Sequence, residues 1–385
     1  MWAWPKKNLT ALPTVSATHG YGRNEMVSGK KQISGMSAPQ MIPQQQPAEI
    51  IQLSEHELCP DDLLAGQEAA FQRDIARLCA RAAEFLMVSC PACGSEQRTP
   101  AFEKYDFCYD RCTCCHTLYM NPRPSPQVME DYYRHSENYA YWAQHIFPAS
   151  EIARRDKLHR PWLTRVLTYC AQYGIPQGVL VEVGPGFGTF SSLAQASGKF
   201  ETVIAVEPTP KLAAACRQRG IHVVNKRIED IEHDEVAEAD VVVSFEVIEH
   251  LFAPEQFLRQ CFKLMKPEGL LVLSCPNGLG FDISLLGAQA LAVDPEHVNF
   301  FNPASLQLLV RRCGFEVLEV STPGRLDAEF VHDAIVSGKV DISHDPFLQR
   351  VLVDEWDRLG WPFQQFLADN GLSSHMWLAA QKRER

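Results

Sequence analysis

Three groups of residues carry the side chains that this sequence can put to chemical use. The first is Leu180-Val181-Glu182-Val183-Gly184-Pro185-Gly186-Phe187-Gly188, a buried-strand pattern that stops in alternating glycines and is followed, nineteen residues after Gly188, by Glu207. Glycines so spaced let the chain turn tightly and bring backbone N–H groups against a ligand, and the helix that opens behind them favours an anion. Glu207, ending the next apolar run with Pro208 behind it, is placed to accept two hydrogen bonds from a ribose diol. Together they outline a nucleoside site; the alternative is glycines serving only close helix–strand packing.

The second group is a pair of C-x2-C knuckles, Cys90-Pro91-Ala92-Cys93 and Cys112-Thr113-Cys114-Cys115, separated by eighteen residues. That spacing suits a zinc ribbon with Cys90, Cys93, Cys112 and Cys115 as ligands, and Cys108 and Cys114 as spare thiols. Four soft thiolates select zinc and leave no open position, so such a metal folds the module and does not activate water. Unligated buried cysteines and an iron–sulfur centre are the competing assignments. The third group is Glu246, Glu249 and His250, just past an apolar run, with His297 in Asp294-Pro295-Glu296-His297. Either histidine is a candidate base for a hydroxyl acceptor, and either is equally readable as a loop residue bonded to the backbone.

The elements that must position these groups alternate from Gly178 onward as in an α/β domain. Strands are expected at 179–183, 202–207, 221–224, 240–245 and 269–275, with helices at 188–197, 209–219 and 254–265 between them. Val241-Val242-Val243 has the continuous apolar character of a strand covered on both faces. Asn302-Pro303 starts a helix closed by Gly314, Phe315 to Val320 alternates like a strand, and His375 to Ala380 is a last strand candidate. The stretch between these strands, about 322–372, is too long for an ordinary loop and reads as a helical cap, with Arg325, Asp327 and His332 as candidate acceptor contacts. Upstream, residues 1–50 are rich in Ser, Gly, Pro and Gln and lack periodicity, 51–89 is helical with Asp61 or Asp62 as N-cap, 90–121 is the cysteine module, and 122–175 is a helical linker or lid. Tyr139, Tyr141 and Trp142 in that linker either fold over a ligand or pack between modules.

The 385 residues are 46% hydrophobic and carry 36 basic against 47 acidic side chains, a net charge of −11 that disfavours a general nucleic-acid surface and favours small-molecule substrates. No stretch is apolar enough to span a bilayer and the start lacks a signal-peptide core, so a cytoplasmic protein is expected, its thirteen cysteines thiols or metal ligands.

Thr189 stands where a dinucleotide fingerprint requires its third glycine, and Glu182 would repel a pyrophosphate. The stretch instead resembles the class I S-adenosylmethionine-dependent methyltransferases, over about 178–321. The resemblance implies an α/β fold: a Rossmann-like seven-stranded methyltransferase sheet with helices on both faces, forming residues 176–385 with the cap inserted before the last strand. It further implies that Glu182 and the loop Gly184, Pro185, Gly186, Phe187 and Gly188 hold the methionine part, that Glu207 and Pro208 hold the ribose, and that Ile228, Glu229, Ser244 and Phe245 flank the adenine. The family commonly has an acid near the position of Arg227, so Glu229 or a backbone group would take that role here. The cysteine module and the following Asn121-Pro122-Arg123-Pro124 resemble bacterial members that carry an N-terminal zinc ribbon, which implies a sugar or secondary-metabolite acceptor. Glu246-x-x-Glu249-His250 resembles a segment of quinone-pathway O-methyltransferases, where such residues are tied to a divalent cation. The expectation is O-methylation of a small-molecule or sugar-like acceptor. Rival readings are an RNA methyltransferase docking through the ribbon, a non-catalytic methyltransferase-like scaffold, and a dehydrogenase.

Overall fold

The computed structural model describes residues 53–232 and 235–383; the low-complexity segment 1–50 lies outside them. A helix, Asp61–Cys79, comes first, its cap position taken by Pro60, with Asp61 and Asp62 in the first turn, where the helix dipole favours acids. Three antiparallel strands follow: Arg98–Lys104 (β1), Phe107–Cys112 (β2) and Leu118–Met120 (β3). The helix Pro126–His135 is N-capped by Ser125, whose hydroxyl accepts from the Val128 amide. Residues 137–173 then run on helically, with two π-helical stretches at Trp142–Ile146 and Arg155–His159.

The main sheet is built from Val179–Val183 (β4), Thr202–Val206 (β5), His222–Val224 (β6), Ala239–Phe245 (β7) and Met265–Pro276 (β8). Asn299–Phe300 (β9) departs to another sheet, and Phe315–Ser321 (β10) and His375–Lys382 (β11) complete the seven. Their order is β10-β11-β8-β7-β4-β5-β6, parallel except for β11, which pairs antiparallel with both β8 and β10. Each apolar strand feeds both faces: Val181, Val183 and Val242 join one core cluster, and Leu180, Val241 and Val243 the other. Burying each such side chain contributes about 1.5–3 kcal/mol, which is why these strands read as continuous apolar runs. The ends of β4 and β7 therefore lie side by side, at the rim where open α/β sheets collect ligands.

The second sheet joins the cysteine module to a segment that follows β8. β9 pairs with β3 through Asn299↔Tyr119 and Phe300↔Leu118, giving the order β9-β3-β2-β1. Cys90, Cys112 and Tyr119 belong to the same core cluster as Phe301, Leu306 and Val310, so the cysteine module shares its interior with the α/β domain. The cap holds the helices Asp327–Val336, Pro346–Gln349 and Trp356–Asp369.

Candidate active site

β4 ends in the glycine loop, where Gly184, Gly186 and Gly188 all have positive φ (72°, 54° and 76°), a conformation that costs an L-residue about 1–2 kcal/mol. Two of the three are also packed tight: a Cβ on Gly184 would lie 2.5 Å from Val247 Cγ2, and one on Gly188 would meet Cys216 and Ile221. Gly186 faces open space, with nothing within 4 Å of its would-be Cβ. Behind it Thr189 Oγ1 and Ser192 Oγ are buried without a hydrogen-bond partner among the described residues. A loop open at Gly186, leading into a helix whose first turns hold two unmatched hydroxyls, fits the polar end of an amino-acid-like ligand.

Glu182 is buried, and its carboxylate accepts from the Ser191 hydroxyl. Glu207 is buried and takes the Thr209 amide on one oxygen at 2.7 Å, which leaves acceptor capacity for a diol. Burial pushes both carboxyls up to about 7. Pro208 is exposed, and its carbonyl and that of Glu207 accept from Asn225. Ile228 is buried in the main core cluster while Glu229, beside Arg227, is half-buried. Ser244 spends its hydroxyl on the Val183 carbonyl, and Phe245 lies in an aromatic cluster with Trp162, Phe190 and Trp377, so both are committed to packing within the domain. Phe187 is stacked by Phe147 at 4.1 Å, which makes the helical run 137–173 the cover of the loop. Of the two roles open to the aromatics Tyr139, Tyr141 and Trp142, packing is the one seen: Trp142 packs with Cys59 and Ile146, Tyr141 lies against Gly66, and Tyr139 bonds Glu296.

Beyond β7 the backbone turns through Glu246, a non-glycine at φ 55°, into a single 3-10 turn, Ile248–His250. Glu246 is drawn away from its neighbours: Ser274 donates to it at 2.7 Å and His375 Nε2 lies 2.9 Å from the same oxygen. The grouping that does form is Glu249, His250 and His297, whose ligand-capable atoms lie within 4.8 Å of one another. His297 thus takes the place expected for Glu246. His250 Nδ1 is 3.2 Å from the Glu296 carbonyl and from Tyr133 Oη. A carbonyl only accepts, so the proton is on Nδ1 and Nε2 is the basic nitrogen. His297 repeats the arrangement, with Nδ1 2.7 Å from the Ala292 carbonyl and 3.3 Å from Asp294, and Nε2 buried without a partner among the described residues. Both Glu249 oxygens are likewise buried and unpartnered, and burial, reinforced by Glu246, holds this carboxyl well above the usual range. Burial and then His297 keep His250 well below its ordinary value, so it stands neutral. A neutral imidazole beside a carboxyl that burial biases toward its protonated form has the makings of a proton acceptor and donor pair.

Glu296, Tyr132 and Tyr133 complete this cluster and escaped the sequence reading. Tyr132 donates to Glu296 at 2.5 Å, and burial, followed by Asp294, pushes Glu296 up to about 8. The only sequence signals were the position of Glu296 beside His297 and the tyrosine pair in an aromatic stretch; their meeting across 164 residues is a product of the fold. Arg325, Asp327 and His332 anchor the cap: Arg325 donates to the Lys157 carbonyl, Asp327 accepts from Ser373 and Gln364, and His332 bonds the Leu352 carbonyl and stacks on Trp356.

The four thiols of Cys90, Cys93, Cys112 and Cys115 also converge within 4.8 Å, with Cys90–Cys115 at 3.4 Å and Cys93–Cys112 at 3.5 Å. A tetrahedron with metal–sulfur bonds of about 2.3 Å has edges of about 3.8 Å, so the donor set fits zinc. Cys108 and Cys114 are exposed and outside the cluster. Among the described residues no helix is long and apolar enough to cross a membrane.

The strand order, the glycine loop and the strand-end acid define the class I methyltransferase fold. Residues 153–320 match a family model described as a methyltransferase domain. An S-adenosylmethionine-dependent methyltransferase of Mycolicibacterium smegmatis is 37% identical over 95 residues, 23% of this chain and 35% of that protein. The chain thus spans about a third of that relative's length. The ubiquinone biosynthesis O-methyltransferase of Xanthomonas axonopodis pv. citri is 28% identical over 184 residues, 44% of this chain and 75% of that protein. Among solved structures, a methyltransferase of Clostridium acetobutylicum is 9% identical with a TM-score of 0.42, covering 64% of this chain and 99% of that one. The α/β domain thus has the class I methyltransferase fold, and residues 153–320 within it are similar to the methyltransferase family.

Proposed function

We propose that the protein transfers a methyl group from S-adenosylmethionine to a hydroxyl of a small, sugar-like or secondary-metabolite acceptor. The observation that carries this reading is the pair of histidines at the rim whose Nδ1 atoms both face backbone carbonyls, with His297 Nε2 unclaimed among the described residues. The Gly186 loop and the hydroxyls that follow it would hold the methionine part, with Glu182 behind them, and Glu207 the ribose; the cofactor supplies an electrophilic methyl on a sulfonium. Transfer to a hydroxyl releases a proton, and His250 is placed to accept it, with His297 beside it at a ring separation of 4.6 Å. Packing of Val247 against Gly184 brings the base-bearing turn against the cofactor loop. A structural zinc on the four cysteines accompanies this site.

Glu249, with both oxygens unpartnered, supports a second reading in which a divalent cation sits among Glu249, His250 and His297. The test is incubation with a metabolite extract and isotopically labelled S-adenosylmethionine, followed by mass spectrometry. Label is expected in a small hydroxylated product, and His250→Ala is expected to keep S-adenosylhomocysteine binding while losing label transfer. Unimpaired transfer removes His250 from the mechanism, label in RNA moves the acceptor to nucleic acid, and loss of transfer on chelation, restored by magnesium, favours the cation.

A further inference from the structure

We propose that Arg123 and Asn299 are positioning residues through which the cysteine module fixes the 246–252 segment, and with it Glu249 and His250. The inference rests on the methyltransferase reading for what that geometry serves. The segment has little order of its own: one turn is closed by His250 N to the Val247 carbonyl at 3.0 Å and Leu251 N to the Ile248 carbonyl at 3.4 Å. Three-residue turns of this kind persist only where something else holds them.

The holder is the amide of Asn299. Its Nδ2 faces three successive-turn carbonyls, Ile248 at 3.1 Å, Glu249 at 3.3 Å and Leu251 at 2.7 Å. Its neighbour Val298 donates to the Glu249 carbonyl as well, at 2.9 Å. The orientation of that amide is dictated from the other side, because Arg123 donates to Asn299 Oδ1 at 2.9 Å. The same guanidinium reaches the Phe252 carbonyl at 3.3 Å and the Met120 carbonyl at 3.4 Å. It lies fully buried between the rings of Tyr119 and Phe252, with no carboxylate partner among the described residues. A charge kept out of water without an acid is costly, and here every donation goes to the junction of module and turn.

The junction continues to the thiols. β3 pairs with β9, Met120 N donates to the Val298 carbonyl at 3.0 Å, and Asn302 Nδ2 donates to the carbonyl of Cys115 at 2.9 Å. Thus one short path runs from a candidate metal ligand, through the strand that carries Asn299, to the turn that carries His250. The module acts as a wall of the active site.

The full-length protein tests this by hydrogen exchange with mass-spectrometric readout, which needs no acceptor. Asn299→Asp keeps the acceptor for Arg123 and replaces the donor that faces the three carbonyls. It is expected to raise exchange of the His250 and Leu251 amides by about tenfold or more. Zinc content and S-adenosylhomocysteine affinity should stay within about twofold of the native protein, because neither site loses a contact. Arg123→Gln should raise exchange over the same 246–252 segment. Unchanged exchange there in both variants overturns the proposal, as does a rise that extends equally to 179–188, which signals only a weaker fold. Failure of the methyltransferase reading appears separately, as native protein that binds no S-adenosylhomocysteine, and the exchange result decides the proposal in either event.

Discussion

On the proposed function, cofactor recognition concentrates at two positions, Gly186 and Glu207. Valine at 186 would force a β-branched residue to φ 54° and place methyl groups in the open space there. Gly186→Val is expected to weaken S-adenosylhomocysteine binding by about 100-fold or more, measured calorimetrically, with the far-ultraviolet circular dichroism unchanged. In the proposed ribose role Glu207 would accept from both hydroxyls only when ionised, and burial holds it at about 7. Affinity for S-adenosylhomocysteine is therefore expected to rise with pH through about 7 in the native protein and to be weaker and less dependent on pH in Glu207→Gln, where only Glu182 still titrates in that range. Binding that is independent of pH in the native protein would remove Glu207 from the ribose site. These two positions were legible in the sequence because a local pattern, strand then glycines then strand then acid, carries them. Glu296 and Tyr133 were not, since each acquires its chemistry from a partner on a distant segment. Glu246 misled for the same reason: adjacency to Glu249 and His250 in sequence is undone by a backbone that turns it toward His375.

At the level of elements, the central strands of the main sheet announced themselves through apolar runs that bury both faces and β10 through alternation, whereas β8 begins at Met265, four residues before the expected start at 269. The helical run 137–173 could not be read in this way, because its two π-helical stretches have no signature in side-chain periodicity. The helix Pro126–His135 matters to the chemistry, since it carries Tyr132 to Glu296 and Tyr133 to His250. Ser125→Ala removes its N-cap and is expected to cost about 1 kcal/mol in chemical denaturation, whereas Ser125→Asp should restore most of that. In the cysteine module, Cys112→Ser is expected to abolish zinc uptake and lower the thermal midpoint, by atomic emission and calorimetry respectively. Equal stability of that variant would show that the thiols act without a metal.

Across the whole molecule, burying Glu182 and Glu207 gives stability a predictable slope. Both carboxyls sit at about 7 in the fold against an ordinary value of 4.5, so between those limits the folded chain binds more protons than the unfolded one. Their contribution is most favourable below about 4.5, declines as pH rises, and is fully lost above about 7. Glu207→Gln should therefore gain on the native protein as pH rises from 5 to 8, by on the order of 2 kcal/mol in denaturation experiments without cofactor. A constant difference across that range would show that Glu207 titrates normally in the fold.

The two-residue strand β9 has a bearing on how this protein can be divided. It finds its partner in β3, outside residues 153–320 that match the methyltransferase family model. A fragment that begins at residue 153 and keeps the rest of the chain, so that β11 stays between β8 and β10, would expose the backbone groups of Asn299 and Phe300 together with the apolar surface that Leu118 and Tyr119 cover. Such a naked edge recruits other copies, so the fragment should be recovered as aggregate, and autonomy of the catalytic half begins at the first cysteine knuckle or earlier.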